Sequence, residues 1–269
     1  MLTQNPRSDF EYLTKLIDQG TPFTFVRFSD GEIEVLRDRK LFIGDGIVSW
    51  TKGEVHFSYP DFDRKDFTPE RDQLFQNALV ETAKFKAPYY FKGIPTRHNK
   101  AVEDRDFMVA LNGDSLENLT FSDLLINGNF RIFRNYFDHV LSKRQKVIVF
   151  GNFRMQPSLV NNSWTLVPVQ DNFIPDYEHV VGQALSSLSE LPLGSLVLSS
   201  ASSLTNIVGR RLRESRPDIT FIDIGTSLHD LMGMTSGIRE YHSQMGPFNL
   251  KKLPKLFAYY LAGGHKLKW

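Results

Sequence analysis

The feature that most constrains this chain is a series of short, β-favouring apolar stretches separated by longer amphipathic ones. FTFVRF (Phe23–Phe28), YYFKGIP (Tyr89–Pro95), QKVIVFGN (Gln145–Asn152), WTLVPV (Trp164–Val169), GSLVLSS (Gly194–Ser200) and DITFIDIG (Asp218–Gly225) read as strands. QKVIVFGN is a continuous apolar run, the pattern of a strand buried on both faces of a parallel sheet. Between the strands lie helical patterns. SDFEYLTKLIDQG opens the chain, with Ser8 as N-cap and Gly20 as stop. GEIEVLRDRK follows the first strand, and TPERDQLFQNALVETAKF has Thr68 at its cap and Pro69 in its first turn. VEDRDFMVAL, NFRIFRNYFDHVLSKR, PDYEHVVGQALSSL and SLTNIVGRRLRESRP complete the set. LFIGDGIVSWTKGEVHFSYPDFDRKDF (Leu41–Phe67) reads as a long irregular loop of the kind that serves as a lid. Strand and helix alternate from Phe23 to Gly225, which predicts an α/β fold with a mainly parallel sheet flanked by helices. No repeat or linker interrupts it. The expectation is one domain over 1–269, with its core at about 21–230 and a basic-aromatic extension at 247–269.

Bulk properties remove several function classes. The chain has no cysteine, which excludes disulfides, thiolate metal sites and cysteine nucleophiles. A net charge of +1 supplies no global field to recruit nucleic acid. The 22 Phe fall mostly inside strand and helix patterns and read as core. MLTQNPRSDFEYL lacks the apolar stretch of a signal peptide, and no run approaches the roughly 18 apolar residues of a membrane span. The expectation is a cytoplasmic protein. Lys251, Lys252, Lys255, Lys266 and Lys268, mixed with aromatic residues, suit either a packed helix with a solvated lysine face or peripheral contact with an anionic membrane.

Ligands in open parallel sheets bind beyond the carboxyl ends of the strands, so the residues leaving each strand are the candidates. Arg27, Asp30, Gly31 and Glu32 leave the first. Two carboxylates at i and i+2 of a helix point about 200° apart and converge only if the backbone turns at Gly31. Converging, they suit Mg2+ or Mn2+, which share coordination with substrate phosphates. Arg27 adds a forked donor for a phosphate oxygen. Ser29 and Glu32 are also spaced as a capping box, and the two roles are compatible. Asn152 and Arg154 leave the QKVIVFGN strand, and Asp171 and Asn172 leave WTLVPV. Ser200, Ala201, Ser202 and Ser203 precede a helix whose free N–H groups can take a phosphate, or else they form a plain tight turn. Asp223, Gly225 and Thr226 end the last strand, and His229 and His242 follow in a glycine-dotted segment as candidates for a base or phosphate ligand. His139 and His179 fall within helical patterns and read as structural. There is no Walker A motif, G-x-G-x-x-G, G-x-S-x-G or H-E-x-x-H.

RFSDGE (Arg27–Glu32, with Phe28 between) resembles the Asp-x-Glu signature of the GT-D-type glycosyltransferases, bacterial enzymes once classed as a domain of unknown function. Ser29 stands where that signature has a glycine. YYFKGIP, VIVFGNFRM, QDNFIPDYEHVV and FIDIG resemble further blocks of the family in the same order, over Phe23 to about Gly225. The resemblance implies a Rossmann-like fold, a nucleoside-diphosphate sugar as donor with UDP expected, and a divalent cation, Mn2+ or Mg2+, at Asp30 and Glu32. It implies a glycan acceptor, free or carried on lipid or protein. Arg27 and Arg154 would then hold phosphate, and Asn152, Asn172, Ser200, Ser202 and Asp223 would line the donor site. An inverting enzyme would draw its base from Asp223, His229 and His242. Two other readings stay open: a hydrolase or methyltransferase on a similar sheet, and a non-catalytic glycan- or partner-binding module.

Overall fold

Residues 1–44, 47–50, 53–56, 64–96, 101–234 and 241–242 are described by the structure, a computed structural model. Its strands are β1 (Thr24–Arg27), β2 (Leu41–Gly44), β3 (Ile47–Trp50), β4 (Gly53–His56), β5 (Lys65–Phe67), β6 (Tyr90–Ile94), β7 (Leu119–Phe121), β8 (Ile148–Asn152), β9 (Thr165–Val169), β10 (Leu196–Ser200) and β11 (Thr220–Asp223). Its helices are α1 (Pro6–Asp18), α2 (Asp30–Leu36), α3 (Gln73–Lys84), α4 (Ala101–Leu111), α5 (Phe130–His139), α6 (Tyr177–Ser189) and α7 (Ser203–Ser215).

Seven strands form one sheet in the order β7-β6-β1-β11-β10-β8-β9, and every pairing in it is parallel. This is the α/β architecture that the alternation predicts. β1 lies inside the sheet beside the central β11, with Thr24 opposite Tyr90 on one side and Phe221 on the other. Its Phe25 and Val26 are fully buried on opposite faces. Val26 packs with α2, α3, α6 and α7 in one apolar cluster, and Phe25 packs with α1 and α5 in the other. α7 lies close on the sheet: a Cβ at Gly209 would come within 2.8 Å of Val26 and 2.9 Å of Phe221.

Leu41–Phe67 is not the irregular loop expected. Its described residues form a four-stranded antiparallel sheet, β4-β3-β2-β5. Leu41, Ile43 and Phe67 join the apolar cluster around Val26, which supplies the burial that fixes strand register. The helix starts shift too. Asn5, not Ser8, caps α1, accepting the Arg7 and Ser8 amides at 3.1 Å, because Pro6 pre-sets the first turn. α3 starts at Gln73 rather than beside Thr68. Asp72 takes the Thr68 amide at 2.8 Å and Arg71 Nη2 at 2.7 Å, closing 68–72 into a turn. The extension at 247–269, with its membrane-contact expectation, lies outside the described residues. Among the described residues no helix is long and apolar enough to cross a membrane.

Lys92 on β6 is 1% exposed, and its ammonium donates to Ala83 O (2.6 Å), Phe85 O (2.9 Å) and Asn112 Oδ1 (2.7 Å). It thus ties the carbonyl end of α3 to the loop after α4, at the pole of the helix dipole that favours a cation. Burial, with Lys86 nearby, pushes its ammonium down to about 7 from 10.5. Between these values the unfolded chain holds the proton more tightly, so stability rises as pH rises through that window. Lys92→Met removes this rise and leaves three buried acceptors unpaired. It should lower stability by about 2–4 kcal/mol near neutral pH, measured by urea denaturation across a pH series.

Candidate functional site

The chain leaves β1 and β11, which are neighbours, toward opposite faces of the sheet. After β1 it enters α2, whose Ile33 and Val35 join the cluster around Val26. After β11 it turns into the other cluster through Ile224, Leu228 and Met232. Such a parting of crossovers opens a crevice at the carboxyl ends of two adjacent strands, where ligands of open α/β sheets bind. Arg27 ends β1 and Asp223 ends β11, so the two meet at the crevice floor.

Arg27 Nε lies 3.2 Å from Asp223 Oδ1, with only 10% and 8% of the two side chains exposed. Asp223 Oδ2 accepts the Arg27 backbone N–H at 3.2 Å, and Oδ1 accepts the Gly225 amide at 2.8 Å. Arg27 Nη1 donates to Ser122 O at 3.1 Å, and Asn206 of α7 donates to Arg27 O at 2.8 Å. Burial works against the guanidinium charge, but Asp223, Tyr241 and Glu32 outweigh it and hold Arg27 above its ordinary value. Burial pushes the Asp223 carboxyl up, while Arg27 and two backbone amides pull it back. With the Arg27 charge favoured and two backbone amides donating to the carboxylate, the pair is best described as ionised. Gly225 has φ +50, and a Cβ there would fall 2.1 Å from Arg27 Nη2, so glycine is required by both backbone and space.

Glu32 and Asp30 stand at the mouth. Glu32 Oε2 accepts the Ser29 amide at 3.0 Å, so Glu32 does close the capping box of α2. It is also 8% exposed, and burial pushes its carboxyl up, with Lys65 and the Ser29 amide opposing and Asp223 and Asp30 adding to the rise. Cap and site therefore share one residue. Asp30 is exposed and accepts the Gly31 amide at 3.1 Å. Among the described residues no group of three or more His, Asp or Glu could hold a metal ion, so any cation here would rest on this pair and on its ligand.

Asp123, absent from the sequence-based candidates, enters from the β7 side. It follows Ser122, whose carbonyl Arg27 binds, and Asn127 Nδ2 donates to its Oδ1 at 3.0 Å. Burial pushes its carboxyl up, Asn127 and Arg27 pull it down, and Asp30 pushes it up. β7 has only three residues, too few to show a period, so its exit went unread. Asn206 and Tyr241, which bear on Arg27, lay inside a helix and a turn with no motif to mark them.

The remaining candidates lie apart from this floor. On β10, Ser200 Oγ meets His229 Nε2 at 2.8 Å. Ser202 sits at the start of α7 with φ +53. At the β8 exit, Arg154 forms a forked pair with Asp171, at 3.0 and 2.8 Å, and lies 4.2 Å over the Phe153 ring. Asn152 donates to the same Asp171 at 2.9 Å. Asn172 acts as a strut to the small sheet: its Oδ1 accepts the Asp66 amide and its N–H binds Arg64 O, both at 3.1 Å. His242 Nε2 faces Thr226 O at 3.0 Å, and its ring stacks on Tyr241 at 4.5 Å. The Tyr241 hydroxyl in turn contacts Thr226 Oγ1.

Asp223→Asn keeps the shape of the pair but removes its negative charge. The guanidinium then lacks its nearest counter-charge, and the variant should lose about 3–5 kcal/mol of stability, read from chemical denaturation. A loss below about 1 kcal/mol would mean that Arg27 does not depend on Asp223.

No protein-family model matches the chain, and no curated protein matches it. A solved structure of the highly conserved domain of unknown function 1792, described as a distinct glycosyltransferase fold, superposes on 91% of this chain and 92% of its own, at 14% identity and a TM-score of 0.51. A glycosyltransferase of that domain type from Streptococcus sanguinis covers 83% of this chain and 80% of its own, at 14% identity and a TM-score of 0.47. The parallel order of the sheet and the superposition over nine-tenths of both chains give one conclusion: this chain has the fold of domain 1792, a glycosyltransferase fold.

Proposed function

We propose that the chain is a metal-dependent glycosyltransferase that moves a sugar from a UDP-sugar to a glycan or glycoconjugate acceptor. The observation that carries this reading is the arrangement at the β1–β11 crevice: a buried, fixed arginine at the floor and two carboxylates at the mouth. The leaving diphosphate gathers negative charge as the glycosidic bond breaks. Arg27, locked by Asp223 and Ser122, offers its remaining N–H groups to a phosphate oxygen without having to reorganise. Glu32 keeps Oε1 beyond its capping bond, and Asp30 is exposed beside it, so the two fit a Mg2+ or Mn2+ ion that takes its other ligands from phosphate and water. When bound, the cation would neutralise charge on the diphosphate. The donor would extend from Arg27 over the β10 and β8 exits, where Ser200, Ser202, Asn152 and the Arg154–Asp171 pair offer polar contacts.

One observation favours a hydrolytic alternative. The Ser200–His229 contact at 2.8 Å is a serine–imidazole pair at a strand exit, the arrangement of an activated nucleophile. A hydrolase of that kind would cleave its substrate without metal and would be silenced by Ser200→Ala.

The two carboxylates can be tested separately because only one of them caps a helix. Asp30→Asn should leave the melting temperature unchanged and weaken Mn2+-dependent UDP binding at least tenfold by calorimetry. Glu32→Ala should weaken binding similarly and also cost about 1 kcal/mol of stability through the lost cap. Unchanged, metal-dependent UDP affinity in both variants would remove them from the cation site.

A further inference from the structure

We infer that Asp123 is the general base that takes the proton from the acceptor hydroxyl; this rests on the transferase reading above. The three bases expected from the sequence are each engaged. Asp223 has both oxygens occupied, by the Arg27 guanidinium, the Arg27 amide and the Gly225 amide. His229 turns Nε2 to Ser200, and His242 turns Nε2 to the Thr226 carbonyl while stacked on Tyr241. Asp123 differs from all three: Asn127 anchors its Oδ1 at 3.0 Å, and among the described residues no hydrogen bond is made to its Oδ2, the oxygen we assign to the substrate proton.

Its position suits the role. Arg27 Nη1 binds the carbonyl of Ser122 at 3.1 Å, so the neighbouring carboxylate is tethered beside the guanidinium that would hold the leaving phosphate. Along the sheet, the β10 and β8 exits lie on one side of β1 and the β6 and β7 exits on the other. A donor laid over the first side leaves the second for the acceptor, and Asp123 stands there. The loop that carries it is tied to the core: the fully buried Asn129 donates to Leu124 O at 2.8 Å. Burial raises the carboxyl above its ordinary value, which makes it a stronger proton acceptor.

In the step, the acceptor O–H gives its proton to Asp123 and its oxygen forms a bond to the anomeric carbon. The bond from that carbon to the diphosphate breaks, and the electron pair leaves on the diphosphate oxygen. A single displacement of this kind inverts the anomeric configuration.

The test is Asp123→Asn in the full chain, which keeps an oxygen for Asn127, with Asp123→Glu beside it. The donor is the member of a UDP-, GDP-, dTDP- and CMP-sugar panel that the wild type turns over fastest, with water as acceptor and Mn2+ present. Turnover should fall about 10²–10⁴-fold in Asp123→Asn and recover in part in Asp123→Glu. UDP affinity should stay within twofold of wild type, and the acid limb of the pH–rate profile should vanish from the residual activity. Turnover within threefold of wild type would overturn the assignment. So would a matching loss of UDP affinity, which would make Asp123 a donor ligand. A wild type that turns over no member of the panel would instead sink the transferase reading, and the base with it.

Discussion

The rest of the structure is arranged around a charge pair placed where water is nearly absent. Taking an arginine and an aspartate out of solvent costs several kcal/mol for each ion, and their attraction offsets this only with good geometry and further hydrogen bonds. Those conditions are met here. Arg27 Nε lies at ion-pair distance from Asp223, and the hydrogen bonds come from the Arg27 and Gly225 amides to that carboxylate and from the guanidinium to the Ser122 carbonyl. The pair also stitches the ends of β1 and β11 together at the point where the chain parts to opposite faces.

Sharing of residues between folding and chemistry recurs at the mouth. Glu32 closes the first turn of α2 through Ser29 and faces the crevice at the same time. Read from the sequence alone, a Ser-x-x-Glu spacing cannot distinguish a cap from a ligand. The structure shows the cap, and a capping bond uses one carboxylate oxygen, so the ligand role proposed above is compatible with it. Asp30, which stabilises nothing beyond its own turn, separates the two roles.

Much of this was legible from the chain. Continuous apolar runs such as that ending in Val149 and Phe150 marked parallel strands, and the strand-exit rule drew attention to Arg27, Glu32 and Asp223, which do come together. What stayed hidden had physical reasons. Leu41–Phe67 carries turn residues between short apolar segments, and its strands are fixed by burial of Leu41, Ile43 and Phe67 against distant helices. Asn172 leaves a strand as expected, and its Oδ1 also ties that exit to β5, a long-range contact no local pattern shows. Asp123 followed a strand too short to register. Arg154 was placed at an exit correctly, but its partner Asp171, 17 residues away, is a pairing that no local pattern could supply.

α7 links remote packing to this chemistry. Gly209 lets the helix touch Val26 and Phe221, and one turn earlier on the same helix Asn206 holds the Arg27 carbonyl. Helix height above the sheet and placement of the arginine are therefore one mechanical variable. Any bulk added at Gly209 would act as a wedge against Val26 and Phe221, lifting the helix and loosening the grip that Asn206, three residues earlier, keeps on the end of the central strands.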